Sequence, residues 1–566
     1  MGIRTEFSLH SQTERLIRLR SATKDGKTNI AEWLLNEGYY TEQYVLPPCF
    51  EVDSFSLEDS PNVTDLNNLR FGSEKQLRTI SFPKTGLIQR VFGIIHPKYY
   101  HDIVYHFIQS WETILDKLFD AQNRIYSYSF PIPLSRGDDQ GVGKLRSGRM
   151  IYEFLEMAEK DLVAESHRFK FLAKIDITNF YNSIYTHSIA WAWYGDRKKA
   201  GQNFKDFNEL GNQLDKLFQY SNDARTSGLP VGLVVSDLVV ELILSERDKV
   251  ISERLKGLDF VATRFKDDYR FLVHSEKDGA KIIKTVIEVL GEFNLHVNEQ
   301  KTSKAELPDS LYRDHSQKYE PFSLKRKPFD DFNSGIPFKV FESTLLKTLE
   351  IHREHRGTSI IEKFISELTM RRKNNGQERS LHERIRIEFV SDNIPINKRE
   401  RVLKTNIRKA ISLLLHLKNE SPKALANVLS IIECLYLHPD YQWLKEEEII
   451  KKITEDEIKK AILKNSAFDL IWWLYFNCRH QLGLDFGQIL KNLRKDGLTD
   501  KTLNDLPIVK NPFIITMRGK KPGKGNITDP FEGDDHSLYM FKNPEECGYL
   551  LDHLDIFNRD EEVPEN

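Results

Sequence analysis

Cysteine is scarce in this chain. Its 566 residues include four, Cys49, Cys434, Cys478 and Cys547, and no two stand in a Cys-x-x-Cys spacing. That excludes a disulfide framework and a cysteine-based zinc site, and it points to a reducing compartment, the cytoplasm. Long apolar runs are missing too. None approaches the ~20 residues that a membrane-spanning helix needs, so no membrane partner is expected. Met1 to Arg20 mixes charged and apolar residues and lacks a signal-peptide core. Nor is there a phosphate loop. Gly523-Lys524 lacks both the required glycine spacing and a following Ser or Thr. Finally, no charge predominates: the formal net charge is -2. That balance hides an asymmetry. Residues 527–566 hold twelve Asp/Glu and two Lys/Arg, which leaves 80 basic against 72 acidic residues elsewhere, a net of +8. A mildly basic body thus carries an acidic tail. The tail is either a solvated terminus or a segment that competes for a basic groove.

What is present is ordinary in bulk and particular in order. With 40% hydrophobic and 29% charged residues, the chain reads as a soluble globular protein. Its length suits about two to four domains. Residues 1–78 form an N-terminal extension that includes a short helical pattern (Ile30, Trp33, Leu34, Leu35) and the extended Pro47-Pro48 pair. Residues 79–308 alternate strand and helix patterns, an α/β domain. It opens with apolar runs on either side of Thr85-Gly86, a hairpin carrying Lys84 and Arg90. A helix over Tyr99–Leu118 follows, then a Gly/Asp/Arg-rich loop at 136–146. Residues 309–337 read as a polar connector. From 338 to 525 helical periodicity dominates, with stripes such as Ile407, Ala410, Ile411 and Leu414, or Leu425, Val428, Leu429 and Ile432. Helices paired without strands predict an all-α domain, either a solenoid-like helical-repeat domain or an irregular bundle. Residues 526–566 are the acidic tail.

The chemistry gathers in the α/β part. Asp267-Asp268 lies between two β-prone runs, Asp259–Thr263 and Phe271–Val273, and so at the tip of a hairpin. Adjacent carboxylates repel, and a divalent cation bound through oxygen relieves that repulsion. A solvated acidic turn is the bland alternative. Upstream, the strand Phe171–Ile177 carries Asp176 near its end. Between the two, Gly228-Leu229-Pro230-Val231-Gly232 opens an apolar helix. Lys301 follows the next helix. This order matches the palm and fingers of a nucleotide polymerase. Two divalent ions about 3.5–4 Å apart activate a hydroxyl and stabilise leaving pyrophosphate. Asp176 and Asp267 are the expected bridging ligands, with Asp268 as a further ligand or an orienting group. Lys84 and Arg90 are expected to neutralise the triphosphate, and Lys301 to add charge or give a proton to pyrophosphate. His187 is either a core histidine or a group that positions the Asp176 segment. Tyr126, Tyr128 and Phe130 either pack the core or stack bases.

Together these segments resemble the reverse-transcriptase family over roughly Thr79 to Thr302. Phe265-Lys266-Asp267-Asp268 resembles the Tyr-x-Asp-Asp box, with phenylalanine for tyrosine. Residues 228–232 resemble the Gly-x-Pro-x-Gly loop beside the incoming nucleotide, with Val231 where glutamine is usual, which places Gly232 at the nucleotide. Tyr181 falls where the family carries an aromatic that blocks a ribose 2′-hydroxyl, implying dNTP substrates. A narrower resemblance covers Asp176 to Ala192, including Ser183-Ile184-Tyr185-Thr186-His187-Ser188, and Leu46-Pro47-Pro48-Cys49-Phe50. These are similar to bacterial abortive-infection (Abi-type) and "unknown group" defence reverse transcriptases, as is a helical C-terminal domain of this length.

The resemblance implies a fingers-palm domain followed by a helical-repeat domain. It implies a Mg²⁺-dependent (or Mn²⁺-dependent) DNA polymerase acting against bacteriophage, with dNTPs as substrates and single-stranded DNA as product; the apolar stripes of the helical array, which need partners, predict a homo-oligomer. It further implies synthesis primed on the enzyme's own tyrosine without a template, as in some of these enzymes; Tyr44, then Tyr39 and Tyr40, are candidates on a loop, and Tyr539 lies in the tail, with core packing the alternative for each. Two rivals stay open: a reverse transcriptase templated by a non-coding RNA, and a non-catalytic nucleic-acid-binding scaffold.

Overall fold

The computed structural model describes residues 27–52, 55–58, 63–70, 72–84, 88–132, 162–325, 335–370, 373–374, 377–495, 506–518, 531 and 541–554. The loop at 136–146, Tyr539 and most of the acidic tail lie outside them.

A five-stranded sheet organises the α/β part. Its strands are β3 (Ile125–Ser127), β4 (Phe171–Asp176), β5 (Phe260–Phe265), β6 (Asp268–Val273) and β7 (Ser303–Glu306), in the order β3-β5-β6-β4-β7. All neighbours are antiparallel except β3 and β5. The period-2 alternation of side chains explains how it packs. Leu172, Leu272 and Val261 stand in register on one face and meet Leu162, Phe169 and Leu311. Ala173, Ile175, Ala262, Phe271 and Val273 face the main core. That core is filled by α7 (Val234–Arg254) and α8 (Glu276–Gly291). In α8 a buried stripe of Ile282, Val286, Val289 and Leu290 faces the sheet, and Ser275 caps it by accepting from the Asp278 amide. By contrast α7 is buried nearly all round, including its Glu241, Arg247 and Asp248.

Ahead of the sheet lie α1 (Lys27–Asn36), the antiparallel hairpin β1 (Arg78–Pro83) and β2 (Gln89–Ile94), and two helices, α2 (Pro97–Gln109) and α3 (Trp111–Leu118). The single helix expected over 99–118 is thus broken at Ser110, whose N–H reaches the carbonyls of His106 and Phe107 and closes the last turn of α2. The N-terminal extension is no appendage. Ile30, Trp33, Leu34, Tyr39, Val45 and Phe50 all belong to the main core.

Helices α4 (Phe180–Ser183), α5 (His187–Tyr194) and α6 (Leu210–Tyr220) connect β4 to α7. Beyond β7, the expected connector already carries a helix, α9 (Asp314–Tyr319), whose buried Tyr319 donates to Glu367 at 2.8 Å. Then come α10 (Phe338–Glu354), α11 (Ile360–Glu367), α12 (Ile396–Glu420), α13 (Leu425–Leu437), α14 (Ile449–Leu463), α15 (Ala467–Arg479), α16 (Phe486–Lys495), α17 (Pro512–Arg518) and α18 (Leu550–His553). The reading of this part as free of strands needs correction. Ile336–Pro337 pairs with Ile387–Glu388, and Lys373–Asn374 with Gln377–Glu378. Strands of two residues are too short to leave a period in the sequence. The helices are unequal in length, and no equal repeat unit is apparent among them.

Three helices are pinned by one buried cation. Lys418 Nζ lies 2.8 Å from Glu457 and 3.1 Å from Asp469, which joins α12, α14 and α15. Removing that ammonium would take the buried partner from Asp469 and leave Glu457 only the half-exposed Lys460, at a cost of about 3–5 kcal/mol. The helical part also grips the N-terminal segments. Phe468 packs on Phe82, Trp472 donates to the Val45 carbonyl, Asn511 to that of Thr79, and Lys542 N to that of Cys49. No helix among the described residues is long and apolar enough to cross a membrane.

Candidate active site

Strand pairing brings the aspartates together. Asp176 ends β4 and faces Asp268, the first residue of β6, while Asp267 sits in the two-residue turn before it. The end of β4 is held on both sides. Ile177 N donates to the Asp267 carbonyl at 3.2 Å, Thr178 N to that of His296 and Asn298 N to that of Asp176, both at 2.7 Å. The last of these binds the stretch that leads to Lys301. Lys301 Nζ then closes to 2.8 Å from Asp176 Oδ2. The two aspartate-bearing strand ends and the segment of Lys301 therefore meet through backbone bonds before any side chain acts.

The electrostatics follow from that crowding. Burial pushes Asp267 up to about 6, and the charges of Asp268 and Asp176 add to the rise. Asp268 is also raised, by burial first and then by Asp176, with Arg270 opposing. Burial works against the Lys301 ammonium, but its bond to Asp176 and the charges of Asp267 and Asp268 hold its pKa above the usual value.

A divalent cation fits this donor set. Three hard carboxylates crowd one end of the sheet, with Lys301 paired to Asp176 and Arg270 easing Asp268. Among the described residues no three His, Cys, Asp or Glu side chains already form a cage, and Asp176 spends one oxygen on Lys301. Asp176, Asp267 and Asp268 are the residues that would hold the ion.

The proposed sugar contact stands beside them. Tyr181, in α4, donates its hydroxyl to Asp237 in the first turn of α7, and its carbonyl accepts from Leu229 N at 2.9 Å. Burial, followed by the Asp237 charge, raises its pKa well above the usual phenol value. Lys266 Nζ reaches Asp237 at 3.3 Å from within the aspartate turn. Gly232 has φ +99, and a Cβ there would lie 2.3 Å from Phe92 Cδ1 and 3.0 Å from Thr41. Only glycine lets the loop close against β2 and the N-terminal segment. Lys84 and Arg90 are exposed on the β1–β2 hairpin, and among the described residues neither is bonded to the aspartates.

The tyrosine candidates divide. Tyr39 is fully buried, with its hydroxyl on the Ile95 carbonyl at 2.7 Å, and Tyr40 is buried between Tyr39 and Phe50. The expectation that both ride on an accessible loop is corrected: the segment is irregular, but its aromatic rings serve the core. Tyr44 is half-buried against Phe82 and donates to Glu42. Glu42 in turn lies near enough to Lys266 to help raise its pKa, after Asp237 and Tyr181 and against burial. His187 is neither a core residue nor at the aspartates. It is half-exposed in α5 and hydrogen-bonded to Asp215 of α6. Tyr126, Tyr128 and Phe130 are buried.

Sequence reasoning missed Lys266, Asp237 and Glu42. The one available signal was Asp237 inside the largely apolar run Leu233–Val240.

A strand-end aspartate facing an Asp-Asp hairpin across an antiparallel pair, with a lysine on the first aspartate, defines a polymerase palm. Residues 133–328 match the family described as reverse transcriptase (RNA-dependent DNA polymerase). The chain therefore carries a reverse transcriptase domain, and that domain marks it as a nucleotidyltransferase. No curated protein matches the chain. Among solved structures, it is similar to apo telomerase from Candida Tropicalis truncated from the C-terminal domain, at 15% identity and TM-score 0.28, over 41% of this chain and 50% of that one. It is also similar to apo telomerase from Candida Tropicalis, at 13% and 0.30, over 67% and 69%. A third likeness is to telomerase from Candida albicans in complex with a TWJ fragment of telomeric RNA, at 12% and 0.28, over 67% and 65%. The chain thus spans half to about two thirds of these structures' lengths.

Proposed function

We propose that this protein is a Mg²⁺-dependent DNA polymerase (Mn²⁺ substituting) of the reverse-transcriptase type that builds single-stranded DNA from dNTPs in defence against bacteriophage. The observation that carries the reading is the meeting of Asp176, Asp267 and Asp268 at one sheet end, with Lys301 on Asp176. When bound, the metal supplies charge stabilisation for phosphoryl transfer. The residues do the rest. The aspartates fix the metal's place, and Lys301 carries the proton that leaving pyrophosphate can take. Tyr181 sits under the sugar, held by Asp237. Lys84 and Arg90, on the exposed hairpin, meet the triphosphate from solvent. The intact aspartate set speaks against a non-catalytic scaffold. The defence role rests on the sequence resemblance of Asp176–Ala192 and Leu46–Phe50.

Priming is assigned to the protein itself, at Tyr44. Its hydroxyl is already bonded to Glu42, a carboxylate placed to accept the phenolic proton, and the Glu42 charge is felt by Lys266 in the aspartate turn. The phenol oxygen would bond to the α-phosphorus as pyrophosphate leaves. A homo-oligomer is part of the proposal, with Leu346 and Ile396 as exposed apolar residues of the helical part; light scattering at micromolar concentration tests it. The whole reading is tested by purifying the protein, treating it with nucleases and identifying the nucleic acid it carries. Covalently held DNA supports it. Bound RNA with no attached DNA favours the enzyme templated by a non-coding RNA.

A further inference from the structure

Beneath the aspartate turn lies a polar network that the chemistry described so far does not use. Arg264, the last residue but one of β5, is buried in the core with its guanidinium fully committed. Nη1 lies 2.9 Å from Glu241 Oε1 and Nη2 3.1 Å from Oε2, a two-pronged grip, while Nε lies 2.7 Å from Asp248 Oδ2. Both carboxylates belong to α7, the helix opened by the Gly232 loop. Tyr269, opposite Arg264 in the hairpin register, donates to the second Asp248 oxygen at 2.8 Å. Ser127 of β3 donates to Glu241 at 2.7 Å.

One bond leaves this network for the active site. Arg264 Nη1 also donates to the Lys266 carbonyl at 3.3 Å. That carbonyl belongs to the peptide bond leading into Asp267. The same residue needs holding, because Lys266 adopts φ +51, a left-handed conformation that is strained for a non-glycine residue. Its N–H is held from the other side by the Ser129 hydroxyl. Arg264 is therefore suited in a way lysine is not. A planar fork fills two carboxylates and still has a donor for the turn, whereas an ammonium satisfies one point.

We infer that Arg264, gripped by Glu241 and Asp248, is a positioning residue for nucleotidyl transfer: it fixes the strained Lys266 backbone and so sets where the Asp267 carboxylate stands. The inference rests on reading Asp267 as a catalytic carboxylate.

The test compares Arg264→Lys with Tyr269→Phe in the full-length protein. The second variant removes a bond from the same network without touching the turn. Two quantities are read: steady-state dNTP incorporation, and hydrogen exchange of the 265–268 backbone by mass spectrometry. For Arg264→Lys, kcat should fall ~100-fold, as misplacement of a reacting group costs, with KM for dNTP changed less than about threefold. Exchange in the turn should rise about tenfold while β4 stays protected. Tyr269→Phe should stay within about threefold of wild type in both. Wild-type kcat and turn protection in Arg264→Lys would overturn the proposal. So would losses in both variants that simply track their melting temperatures, since Arg264 would then be a general stabiliser. If Arg264→Lys fails to fold, Glu241→Gln replaces it under the same criteria: Glu241 accepts from both Nη1 and Nη2, and Nη1 is the donor to the Lys266 carbonyl, so loosening that grip lets the donor drift from the turn. Asp267→Ala separates the two readings. Full incorporation by that variant refutes the role of Asp267, while exchange in the turn still judges Arg264.

Discussion

Lys301 holds Asp176 through a 2.8 Å contact between Nζ and Oδ2. The lysine comes from the segment after α8 and the aspartate from the end of β4, so the contact is made only when the sheet is assembled. An ammonium on a carboxylate that should bind metal sets up a competition. The cation must share Asp176 with Lys301 or displace it.

That competition gives the first expected outcome. Asp176→Ala and Asp267→Ala should each lose ~10³-fold or more in dNTP incorporation, since several kcal/mol of charge stabilisation go with the ligand. Lys301→Ala should fall by ~10²-fold, the scale of a lost general acid. It should also reach half-maximal rate at a lower Mg²⁺ concentration, because nothing then competes for Asp176. A metal titration of labelled-dNTP incorporation checks both. Full activity in either aspartate variant would sink the polymerase site.

Tyr181 can be separated into its ring and its hydroxyl. Tyr181→Val opens the space a ribose 2′-hydroxyl would fill, so the ratio of rNTP to dNTP incorporation should rise ~10-fold or more. Tyr181→Phe keeps the ring and loses only the bond to Asp237, so the ratio should hold within about threefold. Competition assays with paired dNTP and rNTP decide it, and an unchanged ratio in Tyr181→Val would return Tyr181 to a packing role.

His187 makes stability depend on pH. Its hydrogen bond to Asp215 raises its pKa above the usual value, burial opposes the rise, and the Asp215 charge adds to it. A raised folded-state pKa means the protonated form is favoured by folding. The stabilisation is then complete below the unfolded value of about 6.5 and is lost as pH climbs through the folded value. The melting temperature of wild type minus that of His187→Leu should therefore be largest below about pH 6.5 and shrink above it. A difference that does not vary with pH would show that only packing is at stake.

Much of the palm could be read from the sequence because its signals are local. The alternation in Phe171–Asp176 and Phe260–Val273 marks strands, and the turn between β5 and β6 must fall at Lys266-Asp267 because apolar residues flank it closely. The order of Asp176, the Gly228–Gly232 loop and Asp267-Asp268 then fixes what meets what. The rest was hidden for physical reasons. Glu241, Asp248 and Arg264 looked like ordinary charges on a helix and a strand. Only the assembled fold shows that a buried guanidinium needs two carboxylates. Tyr39 and Tyr40 looked like loop residues because an irregular segment leaves no period, yet this one crosses the core. The break at Ser110 was also invisible, since the apolar spacing continues across it.

The last prediction concerns Tyr44. A priming hydroxyl must lose its proton while its oxygen bonds to phosphorus, so it needs an acceptor and access to the metal-bearing carboxylates. Tyr44 has the acceptor in Glu42. It lies in a segment that Trp472 and His553 hold by the carbonyls of Val45 and Gln43. The helical C-terminal part thus fixes the residues on both sides of the candidate primer, while the Tyr44 ring stays partly exposed against Phe82. After incubation with dNTPs and Mg²⁺, intact-mass spectrometry should show a nucleotide adduct, and peptide mapping after nuclease digestion should place it on Tyr44. Tyr44→Phe should abolish the adduct yet still extend an added primer, because the aspartates are untouched. Glu42→Gln should slow adduct formation by ~10²-fold, the scale of a lost general base, and leave primer extension close to wild type. An adduct that persists in Tyr44→Phe would move priming to another tyrosine. Extension of added primers with no covalent adduct in wild type would favour the templated enzyme.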